Sequence, residues 1–103
     1  MKLNVIERLN VLSVLPKESD FATLKIVRKL QDSLGFSEKE WKEYGIVQEG
    51  SNIKWDQMKG SEEKEIEVGE KAMDVVKEAF KELNSQKKLT AQHLSVYEKF
   101  MEV

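Results

Sequence analysis

Apolar residues in this chain recur first at helical spacing, then at strand spacing, then at helical spacing again. Val5, Leu9 and Leu12 fall at i, i+4 and i+7 with Ile6 beside them, which predicts a first helix with one apolar face. Asn4 and Glu7 stand at capping-box spacing before it, and Pro16 ends it by forcing Leu15 away from helical angles. A second helix is expected from about Asp20 to Leu34. Its stripe is Phe21, Leu24, Val27, Leu30 and Leu34, widened by Ile26, with Gly35 as the expected left-handed stop. A third, short helix starts at Ser37, where Glu40 completes a capping box and Phe36 and Trp41 make the matching hydrophobic staple. Gly45 ends it after Tyr44.

From Gly45 onward the period changes to two. Asn52-Ile53-Lys54-Trp55-Asp56 and Lys64-Glu65-Ile66-Glu67-Val68 alternate polar and apolar residues, and read as two strands paired in a hairpin. Ile46-Val47-Gln48 is a further possible strand, Glu49-Gly50-Ser51-Asn52 is a turn, and Gln57 to Glu63 is a polar loop. Lys54 would face Glu65 and Glu67 across the hairpin. Helical spacing returns over about Glu70 to Asn84, where Ala72, Met73, Val76, Ala79, Phe80 and Leu83 share one face. Thr90 then caps a last helix, about Ala91 to Met101, carrying Leu94, Tyr97, Phe100 and Met101. The expected fold is a single α+β domain over residues 1–103, mainly helical, in the order α-α-α-β-β-(β)-α-α.

Composition narrows the possible functions. The chain is 40% hydrophobic and 35% charged, with one Pro and five Gly, which is the profile of an ordered domain. With no Cys, disulfides and thiolate chemistry are excluded. Asn4, Glu7, Arg8 and Asn10 interrupt the apolar N-terminal stretch, so it reads as neither a signal peptide nor a spanning helix. A soluble protein of the cytoplasm, without membrane contact, is the expectation.

The net charge of −2 is unevenly distributed. Residues 36–70 hold ten acids against five bases, whereas residues 1–35 hold six bases against four acids. An acidic middle third disfavours phosphate binding there.

Each chemistry-bearing residue also has a plainer role. His93 is the single histidine, and with no Cys a zinc site would need carboxylates for all its other ligands, so facing solvent or capping a turn suits it better. Glu62, Glu63, Glu65 and Glu67 lie in a hydrophilic loop and on the outward side of a strand, where carboxylates are solvated. The isolated glycines fit turns and caps, not a phosphate loop. No catalytic residue, cofactor or metal is expected, and the chain does not read as an enzyme.

Helices two and three around Gly35, followed by a hairpin, have the outline of a helix-turn-helix or winged-helix DNA binder. The would-be recognition helix, Glu38 to Tyr44, carries three acids and two lysines and offers no Arg, Asn or Gln for base edges. A small nucleic-acid-binding regulator standing on Lys25, Arg28 and Lys29 is therefore the alternative reading. The leading one is a non-enzymatic interaction protein that binds another protein. Its surface would be the acidic segment with Trp41, Tyr44 and Trp55 and the carboxylates Glu62, Glu63, Glu65 and Glu67. An uncovered sheet edge could also make a homodimer.

The combination Leu15-Pro16, Thr23-Leu24-Lys25, Leu34-Gly35-Phe36-Ser37 with Glu40, Ile53-Lys54-Trp55, Lys64 to Gly69 and Lys88-Leu89-Thr90 resembles short proteins encoded by bacteriophages and prophages. The resemblance implies a phage or prophage accessory protein. It brings no activity and no functional residue with it.

Overall fold

The computed structural model describes residues 1–101. Its elements run β1 (Lys2–Leu3), α1 (Val5–Val14), α2 (Phe21–Leu34), α3 (Glu38–Tyr44), β2 (Val47–Glu49) and β3 (Asn52–Lys54). They continue with α4 (Gln57–Gly60), β4 (Lys64–Glu65), α5 (Glu70–Ser85) and α6 (Leu94–Met101), the last entered through a 3-10 turn at Ala91–His93. The architecture is α+β and mainly helical, with two small antiparallel sheets of two strands each. No helix of the described residues is long and apolar enough to cross a membrane.

Local chemistry fixes the helix starts. The Glu7 amide donates to Asn4 Oδ1 at 2.9 Å, and the Asn4 amide donates to Glu7 Oε1 at 3.0 Å. Ser37 and Glu40 close the same reciprocal cap on α3, and Asp20 accepts from the Thr23 amide at the head of α2. Each cap satisfies amides that the first helical turn leaves without partners. Gly45 stops α3 in the left-handed conformation, φ 62° and ψ 38°, as a glycine there can.

Gly35 departs from expectation. It is extended, at φ −64° and ψ 163°, so left-handed freedom is not why glycine stands there. A Cβ would approach the Gln31 carbonyl oxygen to 2.9 Å, and that oxygen already accepts the Gly35 amide. The requirement is for room beside the helix end.

The main core gathers Leu3, Val11, Leu15, Val27, Leu30, Leu34 and Ile66 with Val76, Phe80, Val96 and Phe100. Phe80 meets Tyr97 edge-on, with ring centroids 5.7 Å apart, and Phe100 at 6.1 Å. A smaller cluster of Val5, Tyr44 and Ile46, flanked by Leu9, Phe36 and Trp55, seats α3 against the start of α1.

Helix α1 packs against α2, α5 and α6. It buries Val5 and Val11 together with Glu7, Arg8 and Asn10, so its apolar-face pattern understates its burial. In α2 the stripe is narrower than its spacing predicts. Val27, Leu30 and Leu34 are buried, whereas Phe21 and Leu24, at the start of the helix, are 76% and 37% exposed.

The expected hairpin between residues 52–56 and 64–68 does not form. β3 pairs instead with β2, in the register Val47↔Lys54, Gln48↔Ile53 and Glu49↔Asn52, so the segment read as a possible extra strand is the true partner. Gly50 at φ 60°, followed by a residue without positive φ, makes the two-residue type II′ connection that suits the right-handed twist of paired strands. Asp56 then caps Met58 and Lys59, and the expected polar loop turns into the short helix α4.

β4 pairs with β1, Lys2 opposite Glu65 and Leu3 opposite Lys64, and the Ile66 amide continues the ladder to the Met1 carbonyl at 2.7 Å. Alternation is kept, with Ile66 buried and Glu65 and Glu67 exposed; only the partner differs. Lys54 accordingly pairs with Glu49 on its own hairpin, at 3.2 Å, and not with Glu65 or Glu67.

Candidate functional site

The three aromatics of the acidic segment part company in three dimensions. Tyr44 is buried at 1% exposure, edge-on to Phe36 at 6.4 Å, and forms the floor of the smaller core cluster. Trp55 is half-buried. Its indole lies against Gly60, where an added Cβ would come within 2.4 Å of the ring. Trp41 is 38% exposed. Phe36 stands edge-on to Tyr44, three positions beyond Trp41 along α3. Of the three, only Trp41 offers a large free face to a partner.

The carboxylates Glu62, Glu63, Glu65 and Glu67 are all exposed, but two of them are engaged. Glu63 pairs with Lys99, which holds its carboxyl below the usual range. Glu65 accepts from the Met1 amine at 2.8 Å and is lowered for the same reason.

Three further apolar side chains, two of them on expected strands but none expected at a contact surface, follow Trp41 in sequence. Val47 is 51% exposed, Ile53 39% and Met58 85%. Both strands of the β2–β3 hairpin are exposed along their whole length. The register turns Val47 and Ile53 to opposite faces, since Val47 opposes Lys54 while Ile53 opposes Gln48. The hairpin therefore has solvent on both faces, and its outer edges pair with nothing among the described residues. An alternating pattern predicts one dry face, and for this reason sequence reasoning missed the hairpin as an interaction surface.

Behind α3 sits a charged cluster that holds the segment in place. The Arg8 guanidinium, 2% exposed, donates to Glu40 at 2.7 and 3.3 Å, to the Leu34 carbonyl at 3.0 Å and to the Gly35 carbonyl at 2.6 Å. It also lies over the Phe36 ring at 4.0 Å. Glu40 is thereby held below the usual carboxylate range, chiefly by its hydrogen bonds from Arg8. Lys64 joins at 3.7 Å from Glu40 and 3.4 Å from Glu43, and sits over Tyr44. Each nitrogen of the Arg8 guanidinium has a protein acceptor and the Lys64 ammonium has carboxylate partners, which makes the cluster a fastening.

His93 closes the last cap. Its Nδ1 accepts the Thr90 amide at 3.0 Å, and its ring stands edge-on to Phe80. No group of three or more His, Cys, Asp or Glu among the described residues is placed to hold a metal ion.

Lys25, Arg28 and Lys29 are exposed on α2. Lys25 lies over the Phe21 ring at 5.1 Å, and Lys29 shares a cleft of about 540 Å³ with Lys71, Glu67 and Glu70, a balanced set of charges that makes no basic footing for a phosphate backbone. Compared with protein-family models, curated proteins and solved structures, the chain matches none.

Proposed function

We propose that this chain is a non-enzymatic protein-interaction module whose contact surface is the β2–β3 hairpin with the adjoining exposed side chains of α3 and α4. One observation carries the reading: a two-stranded hairpin wet on both faces, with Val47 and Ile53 exposed on it and Trp41 and Met58 exposed just before and after it. Exposed apolar side chains beside free strand edges suit capture of an extended segment, with backbone hydrogen bonds supplying affinity and alternate side chains supplying selectivity. The Arg8–Glu40 fastening and the Tyr44 cluster give the hairpin a rigid base, which lowers the ordering penalty of binding. The acidic segment around it favours a basic partner, and a phage or prophage origin rests only on the sequence resemblance.

A photo-crosslinking residue at Val47 or Ile53, introduced into the full chain in its source cells, should capture one discrete protein. The same residue at the exposed Ser95 of α6 should not. The double substitution Val47→Asp with Ile53→Asp should abolish capture from a crosslinker at Met58 and leave the thermal unfolding midpoint within a few degrees. Equal capture from Ser95, or no discrete product from either hairpin position, would overturn the reading.

A further inference from the structure

Away from the hairpin, an open groove of about 570 Å³ runs between α5 and the segment joining α1 to α2. Val14 and Pro16 on that segment, with Val75, Ala79 and Leu83 on α5, give it an apolar lining, and all five are half-buried. Asp74, Glu78 and Glu82 line it too, all three exposed, and no lysine or arginine does. These acids recur at i, i+4 and i+8, so they form one rail along roughly 12 Å of helix. The chain itself does little to neutralise them. Lys81 comes to 3.7 Å from Glu78, with both side chains largely exposed, and Gln86 donates to Glu82 at 2.7 Å. Like charges four residues apart repel, so a cation laid along the rail relieves a repulsion already present in the isolated chain.

An apolar floor bordered by carboxylates is complementary to a surface with an apolar stripe and a basic edge. The groove's walls also decide the backbone of what enters. Helix α5 satisfies its own amides and carbonyls, and none of the strand residues lines the groove. An extended segment would find no backbone partners there, whereas a helix brings its own hydrogen bonds with it. Two turns of helix cover about 11 Å, a length that matches the rail. Ala79, between Val75 and Leu83 in the α5 wall, is small enough to let a second helix pack closely.

We infer that this groove is a second docking site, whose occupant is an amphipathic helix of another protein, apolar on the face it buries and basic along the edge that meets Asp74, Glu78 and Glu82. Lysine or arginine at four-residue spacing on that helix falls opposite the rail, turn for turn. Burial of the apolar stripe and relief of the acid–acid repulsion both favour association. No residue of the hairpin lines the groove, so the site is separate from the strand-capture surface and stands without it.

The test is selection on the full chain from a displayed library of randomised helical peptides about five turns long, with the enriched peptides then titrated by fluorescence anisotropy. They should carry lysine or arginine at four-residue spacing beside an apolar stripe, and their affinity should fall as salt rises. Asp74→Lys with Glu78→Lys should weaken binding at least tenfold. Glu38→Lys with Glu62→Lys makes the same change in net charge at exposed positions away from the groove, and should weaken it less than about twofold. A peptide with its basic residues exchanged for glutamate should bind the Asp74→Lys, Glu78→Lys protein at least tenfold more tightly than the parent, a result that misfolding cannot imitate. No enriched peptide, enriched peptides without a basic edge, equal losses in the two double variants, or no gain for the glutamate peptide would overturn the inference. So would a dimer of the chain alone, seen by sedimentation equilibrium and dissolved by the groove reversal, because the occupant would then be a second copy. None of these outcomes touches crosslinking from Val47 or Ile53.

Discussion

Arg8 and Glu40 illustrate what a buried charge pair needs. Arg8 gives up hydration almost completely and recovers it through two backbone carbonyls, a carboxylate and an aromatic face. Removing Glu40 would leave a buried cation short of its counter-charge, and such losses cost about 3 kcal/mol. Glu40→Gln should lower urea-unfolding stability by about that much at neutral pH, whereas Glu38→Gln, at an exposed position on the same helix, should stay within about 0.5 kcal/mol.

The pH dependence follows from the direction of the shift. Glu40 has its carboxyl lowered from 4.5 on folding, so the stabilisation it gives is present above that unfolded value and is lost as pH falls through the folded one. The Glu40→Gln protein should show a flatter loss of stability with acid than the parent. None of this was legible in the sequence. Arg8 and Glu40 are 32 positions apart, and Glu7 and its partner Lys99 are 92 apart. The available signal was compositional: α1 carries apolar residues around most of its circumference, which draws Glu7, Arg8 and Asn10 into the interior with them.

At the level of elements, what was legible followed the range of the interaction. Caps involve residues three apart, and Asn4–Glu7 and Ser37–Glu40 both form where their spacing places them. Strand pairing is chosen between distant segments, and there alternation identified the strands without naming their partners. The Gly50 turn closes β2 onto β3 through two residues, a smaller entropic loss than the seven-residue connection the other hairpin required. The same limit applies to the candidate surface, of which Trp41 was legible and Val47, Ile53 and Met58 were not.

The end of α5 supplies a test of local conformation. The Lys88 amide reaches the Leu83 carbonyl and the Lys87 amide the Asn84 carbonyl, a Schellman closure that puts Lys87 in the left-handed region at φ 56°. An L residue loses about 1–2 kcal/mol there, and glycine's greater freedom when unfolded takes back about 0.4–1 kcal/mol. Lys87→Gly should therefore stabilise the protein slightly and raise the melting midpoint by a few degrees, as read by calorimetry. An unchanged or lower midpoint would show that the Lys87 side chain makes up the difference.

For the molecule as a whole, Lys99 ties the most distant parts together. Its ammonium donates to the Lys2 carbonyl at 2.9 Å, to Glu7 at 2.8 Å and to Glu63, joining α6 to β1, α1 and the segment before β4. Burial opposes its charge, yet the bonds to Glu63 and Glu7 prevail and raise its pKa. Lys99→Met keeps the length and apolar stem but leaves the Glu7 carboxylate, 1% exposed, without a cation. The variant should unfold at lower urea, with the slope of the transition unchanged. Hydrogen exchange at the Ile66 amide, which bonds the Met1 carbonyl, should quicken with it.

The β1–β4 sheet has a further consequence, for the order in which the chain is made. Residues 2–3 are synthesised long before residues 64–65, so at about 5–20 residues per second the first strand waits roughly 3–12 s for its partner. During that interval α1, α2 and α3 have their own caps and can form as they emerge. Leu3, fully buried in the finished molecule, has no sheet to enter. Vectorial synthesis thus leaves the β1 side of the core open until β4 emerges, and α5 and α6 complete the core later still.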